Sequence, residues 1–335
     1  MKRREFIQIA AFGFAGLPPL AAQQRHPAHV MTVLGLMPAT RLGRTLMHEH
    51  IMVDFIGADK IAPGRYDPEE VFQKALPYLE KLKAAGGETL VECTPAFIGR
   101  DALLLRRLSK ASGLNIITST GFYGAAEDKY VPPVAYEETA DELAMRWTRE
   151  FEDGIPQENV RPGIIKIGVD SGPLSEIDAK LVRAAARAHK RTGLAIASHT
   201  GDGVAALAEL AVLKEENVDP SAFIWVHAQN ESDPGYHQRA AALGAWVEFD
   251  GISPESLGRH VELVTGMRRA GYLHRILLSQ DAGWFHVGEP GGGEFRGYET
   301  LFTEFLPALR KAAITEEEIN TLIVRNPRHA LALST

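Results

Sequence analysis

Apolar positions along this chain follow two alternating rhythms. Leu90 to Thr94, Ile164 to Val169 and Leu194 to His199 are short runs rich in Ile, Val and Leu, the signature of strands buried on both faces. Between such runs the spacing turns helical: Val71, Phe72, Ala75, Leu76, Leu79 and Leu82 form one apolar stripe that must face a core. Asp67-Pro68-Glu69-Glu70 supplies its start, with an N-cap carboxylate, a proline at the first position and acids in the positive first turn, and Gly86-Gly87 ends it. The pair of rhythms repeats about every thirty residues, the length of a strand-helix-strand unit. It predicts further strands over Asn115 to Thr120, Ala222 to His227, Trp246 to Phe249 and Arg275 to Ser279. It predicts helices over Asp101 to Ala111, Tyr136 to Glu152, Ile177 to Thr192, Val204 to Glu216, Pro234 to Leu243 and Leu257 to Ala270, with a capping box at Thr315-Glu316-Glu317-Glu318 opening a last one.

With the stretch Thr45 to His50 counted as a strand there are eight. Eight alternating units predict an α/β fold with parallel strands, a (β/α)8 TIM barrel over residues 31–335. An open doubly wound sheet is the structural alternative, but no Gly-x-Gly-x-x-Gly turn follows the first strand.

The barrel expectation changes what the polar residues mean, because the C-terminal ends of all strands would meet at one mouth. In Thr45-Leu46-Met47-His48-Glu49-His50 the two histidines share a face and Glu49 takes the other. Lys166, His199, His227 and Asp281 lie in or at the ends of later strands, so all six groups point to one place. Lys166 sits within Gly163-Ile164-Ile165-Lys166-Ile167-Gly168, where an ammonium is costly. A desolvated lysine has a depressed pKa and attacks carbon dioxide, giving a carbamate able to bridge two cations; the plain alternative is a buried stem with its amine at solvent. His189, His26, His29, His237, His260, His274 and His329 fall away from the mouth and are read as structural or solvated.

Composition adds limits. The 335 residues are 45% hydrophobic and 24% charged, an ordinary globular balance, and the net charge of -7 with no basic stripe argues against nucleic acid. The single Cys93 lies in an apolar run and forms no internal disulfide. Residues 1–22 read as a twin-arginine-like export signal: Lys2-Arg3-Arg4, an apolar Ile9 to Leu17, then Pro18-Pro19-Leu20-Ala21-Ala22. The expected location is the periplasm, with no stable span after signal removal; an uncleaved anchor is the alternative, and residues 23–30 would form a loose arm.

The set Thr45 to His50, Lys166, His199-Thr200, His227 and Ser279-Gln280-Asp281 resembles the phosphotriesterase-like branch of the amidohydrolase superfamily. Gly99-Arg100-Asp101, Thr120-Gly121-Phe122-Tyr123 and Asn326-Pro327 extend the resemblance from Leu34 to Leu331. It implies two divalent metal ions, usually zinc, with cobalt or manganese possible: His48, His50 and Asp281 on a buried ion, His199 and His227 on a more exposed one, and carboxylated Lys166 with a hydroxide between them. It further implies a hydrolase in which that hydroxide attacks a small-molecule ester and Asp281 receives the proton, and it makes a homodimer an expected assembly.

Tyr123 matches a tyrosine found in the family's lactonases and leans the expectation towards a lactone or carboxylic ester; a phosphotriester hydrolase is the alternative. Gly251 and Asn230 stand where phosphotriesterases carry the proton relay, and Gly251 also departs from the arginine common in lactonases. From the loop Gly283 to Tyr298, Trp284, Phe285 and Arg296 join Tyr123 as candidate substrate-binding residues, on a rim of glycines and aromatics expected to be mobile. A non-catalytic periplasmic metal- or ligand-binding barrel is the alternative from another class.

Overall fold

The computed structural model describes residues 28–334. The described chain opens on a hairpin, β1 (His29–Thr32) and β2 (Gly35–Pro38), so His29 and Val30, the last two residues of the stretch 23–30 read as a loose arm, are strand. The export signal lies outside the described residues. Among the described residues no helix is long and apolar enough to cross a membrane.

Parallel strands and helices then alternate: β3 (Thr45–Val53), α1 (Pro68–Ala84), β4 (Thr89–Glu92), α2 (Ala102–Ser112), β5 (Asn115–Ile117) and β6 (Ser119–Thr120). Asp67 caps α1 through the Glu69 amide, and Val71, Ala75, Leu79 and Leu82 are its buried face, each leucine contributing about 1.5 to 3 kcal/mol. The helix expected over Tyr136 to Glu152 is two: α3 (Val134–Glu137) and α4 (Ala140–Asp153). Thr139 and Glu142 form a capping box there, and the box starts a new helix where periodicity alone runs straight through.

The series continues with β7 (Ile164–Val169), α5 (Glu176–Thr192), β8 (Ala195–Thr200), α6 (Gly203–Glu215), β9 (Phe223–Val226), α7 (Pro234–Leu243), β10 (Trp246–Phe249), α8 (Leu257–Arg269) and β11 (Ile276–Leu278). β12 (Gly283–His286) occupies the loop read as a mobile rim: it pairs in parallel with β3, Gly283 opposite His50. Helices α9 (Leu306–Lys311), α10 (Glu316–Asn320) and α11 (Asn326–Leu331) close the chain, with a π-helical turn at Thr321–Arg325.

The ladders form two parallel sheets, ordered β11-β10-β9-β8-β7-β6 and β12-β3-β4-β5. Only Thr118 separates β5 from β6, and Ser279 to Ala282 link β11 to β12, so each end of one sheet runs directly into an end of the other. This α/β arrangement is consistent with a TIM barrel. Apolar side chains divide by strand parity: Ile165 and Ile167 join the large cluster under the helices, whereas Ile164 joins Met47, Val91, Ile117, Ile224 and Leu277. Lys166 has the parity of Ile164 and is 2% exposed.

Candidate metal centre

His48 and His50 end on one cavity because β3 alternates, and each is tied from behind through its other ring nitrogen. The His48 Nδ1–H donates to Asp250 Oδ2 (3.0 Å), and the His50 Nδ1–H donates to Thr94 Oγ1 (2.8 Å), which in turn donates to the buried Glu92. Both Nε2 atoms therefore present lone pairs, and they lie 3.1 Å apart. Asp281 Oδ1 stands 3.1 Å from His50 Nε2 and 3.7 Å from His48 Nε2. Three electron-rich atoms converging at this range repel unless a cation or protons stand between them.

Glu49, on the opposite face, explains how Asp281 reaches that point. Its buried carboxylate accepts from Ser279 Oγ (2.7 Å), Gln280 N (3.0 Å) and Ala282 N (2.7 Å), and so fixes the turn around Asp281, whose φ is 50°. Burial pushes Glu49 up to about 8 despite those donors. Gly283 follows with φ 93°, and a side chain there would collide with the His50 carbonyl, so this turn requires glycine.

His227 leaves β9 in a left-handed conformation, φ 62°, held by Asp250 through both its amide (2.9 Å) and its Nδ1 (2.7 Å). Asp250 thus orients one histidine of each pair. With Gln229 Nε2 at 2.6 Å its oxygens are saturated, so the trio His48, His227 and Asp250 is a bracing unit, and His48, His50 and Asp281 are the group open to a cation. His199 ends β8 with its ring 4.4 Å from that of His227. Beneath it, Ser198 and Thr200 hydroxyls both donate to the buried Glu209 of α6, which burial pushes up to about 8. His199 is held well below its ordinary value by burial; in His227 the same burial is outweighed by the Asp250 charge, and the net shift is upward.

Lys166 completes the ring. Its Nζ is buried without a hydrogen-bond partner among the described residues, and burial lowers its pKa. Asp281 Oδ1 is the other orphaned atom here. Four imidazoles, a carboxylate and an unpartnered amine around one cavity fit divalent metal ions with nitrogen and oxygen ligands, and the His/Asp groups could bind them. The profile of the phosphotriesterase family matches residues 28–331.

The chain belongs to the phosphotriesterase family. A phosphotriesterase homology protein of Escherichia coli (strain K12) is 29% identical over 290 residues, covering 85% of this chain and 96% of the relative. An aryldialkylphosphatase of Saccharolobus solfataricus is 25% identical over 298 residues, 86% and 94% of the two chains. A phospho-furanose lactonase of Mycoplasmopsis synoviae is 29% identical over 332 residues, 90% and 91%.

In this phosphotriesterase-family chain the cavity measures about 220 Å³. Tyr123 and Trp284 line it together with Phe55, Ile98 and Tyr130. Phe285 and Arg296, read as substrate-binding, do not. Phe285 is turned inward, 3% exposed, with its ring against Gly292, on the side of β12 away from Trp284. Arg296 is exposed and its guanidinium donates to the Asp281 carbonyl, so it braces the turn from outside. Asp250, Glu49 and Glu209 were not recognised as site residues from sequence; their only signal is an acid within or just after an apolar run, or on a helix facing a strand.

Proposed function

We propose that this chain is a periplasmic hydrolase with two divalent metal ions, acting on a lactone or small carboxylic ester, in a closed (β/α)8 barrel. The observation that carries the reading is the convergence of His48, His50, His199, His227, Asp281 and the unpartnered Lys166 Nζ on one small, largely apolar cavity. His48, His50 and Asp281 would hold one ion and His199 and His227 the other. Zinc is the first choice, with cobalt or manganese as alternatives; bound there, the pair would supply Lewis acidity and bring a water's pKa towards neutrality.

The remaining chemistry belongs to the chain. Lys166 Nζ, its ammonium form disfavoured by burial, attacks carbon dioxide as the free amine; an N–C bond forms, a proton leaves to solvent, and the carbamate supplies an anion with two oxygens between the two ligand sets. Asp281 is the proton carrier. With its Oδ1 at the cavity and without a hydrogen-bond partner among the described residues, it takes a proton transiently and hands it to the leaving group or solvent. Tyr123 stands at the cavity wall with its ring 5.1 Å from His199, where its hydroxyl can meet a substrate carbonyl. Trp284 and Phe55, with rings 5.5 Å apart, supply the apolar wall and exclude water.

A carbonyl substrate is favoured over a phosphotriester by Tyr123 at the cavity wall; the region beyond Asp250 favours neither, since Gly251 departs from the lactonases' arginine as well as from the phosphotriesterases' histidine. A side chain at Gly251 would meet the amide of Gln229, which fills the place either residue would need. Phosphotriester cleavage is the second reading, supported by the apolar, uncharged wall. A panel of lactones, aryl esters and phosphotriesters on zinc-, cobalt- and manganese-loaded protein tests the choice. Lactones or carboxylic esters should lead in kcat/KM, and a strong preference for phosphorus substrates overturns it. Metal-dependent turnover of any ester removes the non-catalytic alternative. For export, replacing Arg3 and Arg4 by lysine should abolish recovery of the protein from the periplasm.

A further inference from the structure

The same strands that deliver His227, Asp250 and Asp281 to the metal centre begin at a second cavity, at their opposite ends. It measures about 500 Å³ and is entered between the turn before β9, the first residue of β10, the turn before β11 and the C-terminal helices. His274, Arg275, Arg325 and His329 face it, with Ser221 and Thr321 adding hydroxyls, and no carboxylate is among the residues lining it. In a chain with 43 acids against 36 Lys and Arg, a concave surface with that lining is the reverse of the overall charge balance.

Arg275 is the held member of the set, while His274, Arg325 and His329 are exposed at the rim. Arg275 lies over the Trp246 ring, its guanidinium carbon 5.1 Å from the centroid, and Trp246 is itself anchored by its Nε1–H donating to the Ser221 carbonyl (3.0 Å). Asn326 clamps the turn that carries His274 and Arg275, its amide donating to the carbonyls of Leu273 (2.9 Å) and Ile276 (2.7 Å). The π-helical turn Thr321–Arg325 brings its first and last residues to the same cavity. Two acids stand nearby, and the Arg275 charge helps to lower the Asp219 pKa after its hydrogen bonds from Ser221. Glu317 reaches Arg325 only at 3.3 Å from a 77% exposed position, and Asp219 borders the neighbouring cavity and accepts from the Ser221 amide (2.8 Å). Packed apolar side chains, among them Ile224, Val226 and Leu277, lie on these strands between the two cavities.

We propose that this cavity is a binding site, separate from the metal centre, for a small oxyanion of phosphate type, gripped by Arg275 and Arg325 with His274, His329, Ser221 and Thr321 around it. Planar guanidinium donors match a tetrahedral oxyanion in pairs, and the concave wall limits the ligand to a free phosphate or a small phosphate ester.

The test is a titration of the full-length, metal-loaded protein with inorganic phosphate at constant ionic strength, read by calorimetry and melting temperature. A small alkyl phosphate forms a parallel arm that separates the free ion from an ester. Four proteins are compared: wild type, Arg275→Gln/Arg325→Gln, His199→Ala, and Arg325→Gln alone, a variant at an exposed position that leaves the core untouched. The proposal expects saturable binding to wild type and to His199→Ala, weakened about tenfold or more in the double variant and measurably in the single one. Ester hydrolysis should be unchanged in both arginine variants. Binding that survives the double variant, that disappears in His199→Ala, or that is absent from wild type overturns it.

Discussion

The two halves of the metal centre are built to different standards. In the deep half, His48 and His50 are 1% and 7% exposed, both have a partner behind the ring, and Asp281 is locked by three donors to Glu49. In the shallow half, His227 is braced by Asp250, but neither ring nitrogen of His199 has a hydrogen-bond partner among the described residues. His199 is steadied only through its neighbours Ser198 and Thr200 on Glu209. A braced ligand loses less freedom on binding an ion, so the shallow half should hold its metal more weakly.

The largest effect belongs to the residue shared by both halves. Lys166→Met should drop metal content below two per chain and cut kcat/KM by at least about 10³, while bicarbonate should speed reconstitution of the wild type only. A Met variant holding two ions with full activity would sink the bridging role. Next comes Asp250→Asn, which loosens one histidine on each side; metal affinity should fall by about 10- to 100-fold for both ions. A loss confined to one ion would show that Asp250 braces only one half.

Smaller changes separate the halves. Glu49→Gln should release the deep ion and lower stability by about 2 to 3 kcal/mol, because an amide opposes one of the three donors it now accepts. Glu209→Gln should cost about 1 kcal/mol and affect the shallow ion alone, since an amide oxygen still accepts from one hydroxyl. Chelator titration followed by metal analysis gives the order of release, and equal effects of the two substitutions would erase the distinction.

The halves also differ in pH dependence, read on chelated protein. Burial lowers His48 to about 4, so its contribution is intact above about pH 6.5 and is lost as pH falls from there towards 4, by up to about 3 kcal/mol. His227 is shifted upward, so its contribution is present below about pH 6.5 and is lost as pH rises through its folded value. Denaturant unfolding at pH 7 and 5 should therefore show His48→Gln flattening the acid loss and His227→Gln steepening it. Parallel behaviour of the two variants would contradict the electrostatics drawn here.

The contrast also explains what could be read from sequence. His-x-His on an alternating strand, and a lysine inside an apolar run, are local patterns, and they led to the residues that gather at the cavity. The strand-helix rhythm likewise preceded the parallel sheets. What was not legible depends on tertiary contact: Asp250 matters because two distant imidazoles reach it, and Glu209 because two hydroxyls of β8 face α6. Phe285 was misplaced because neighbours in a strand face opposite sides and Trp284 takes the cavity side of β12; Arg296 lies outside that strand, and its guanidinium is taken by the Asp281 carbonyl. The unexpected pairing of β12 with β3 turns a supposed rim into the brace for Asp281.

The most direct test of the account is a crystal structure of zinc-loaded protein recorded at the zinc absorption edge. Two anomalous peaks about 3.5 to 4 Å apart, one against His48, His50 and Asp281 and one against His199 and His227, with extra density joining Lys166 Nζ to both, is the predicted result. A single peak, or an unmodified Lys166 amine beside two ions, would contradict it.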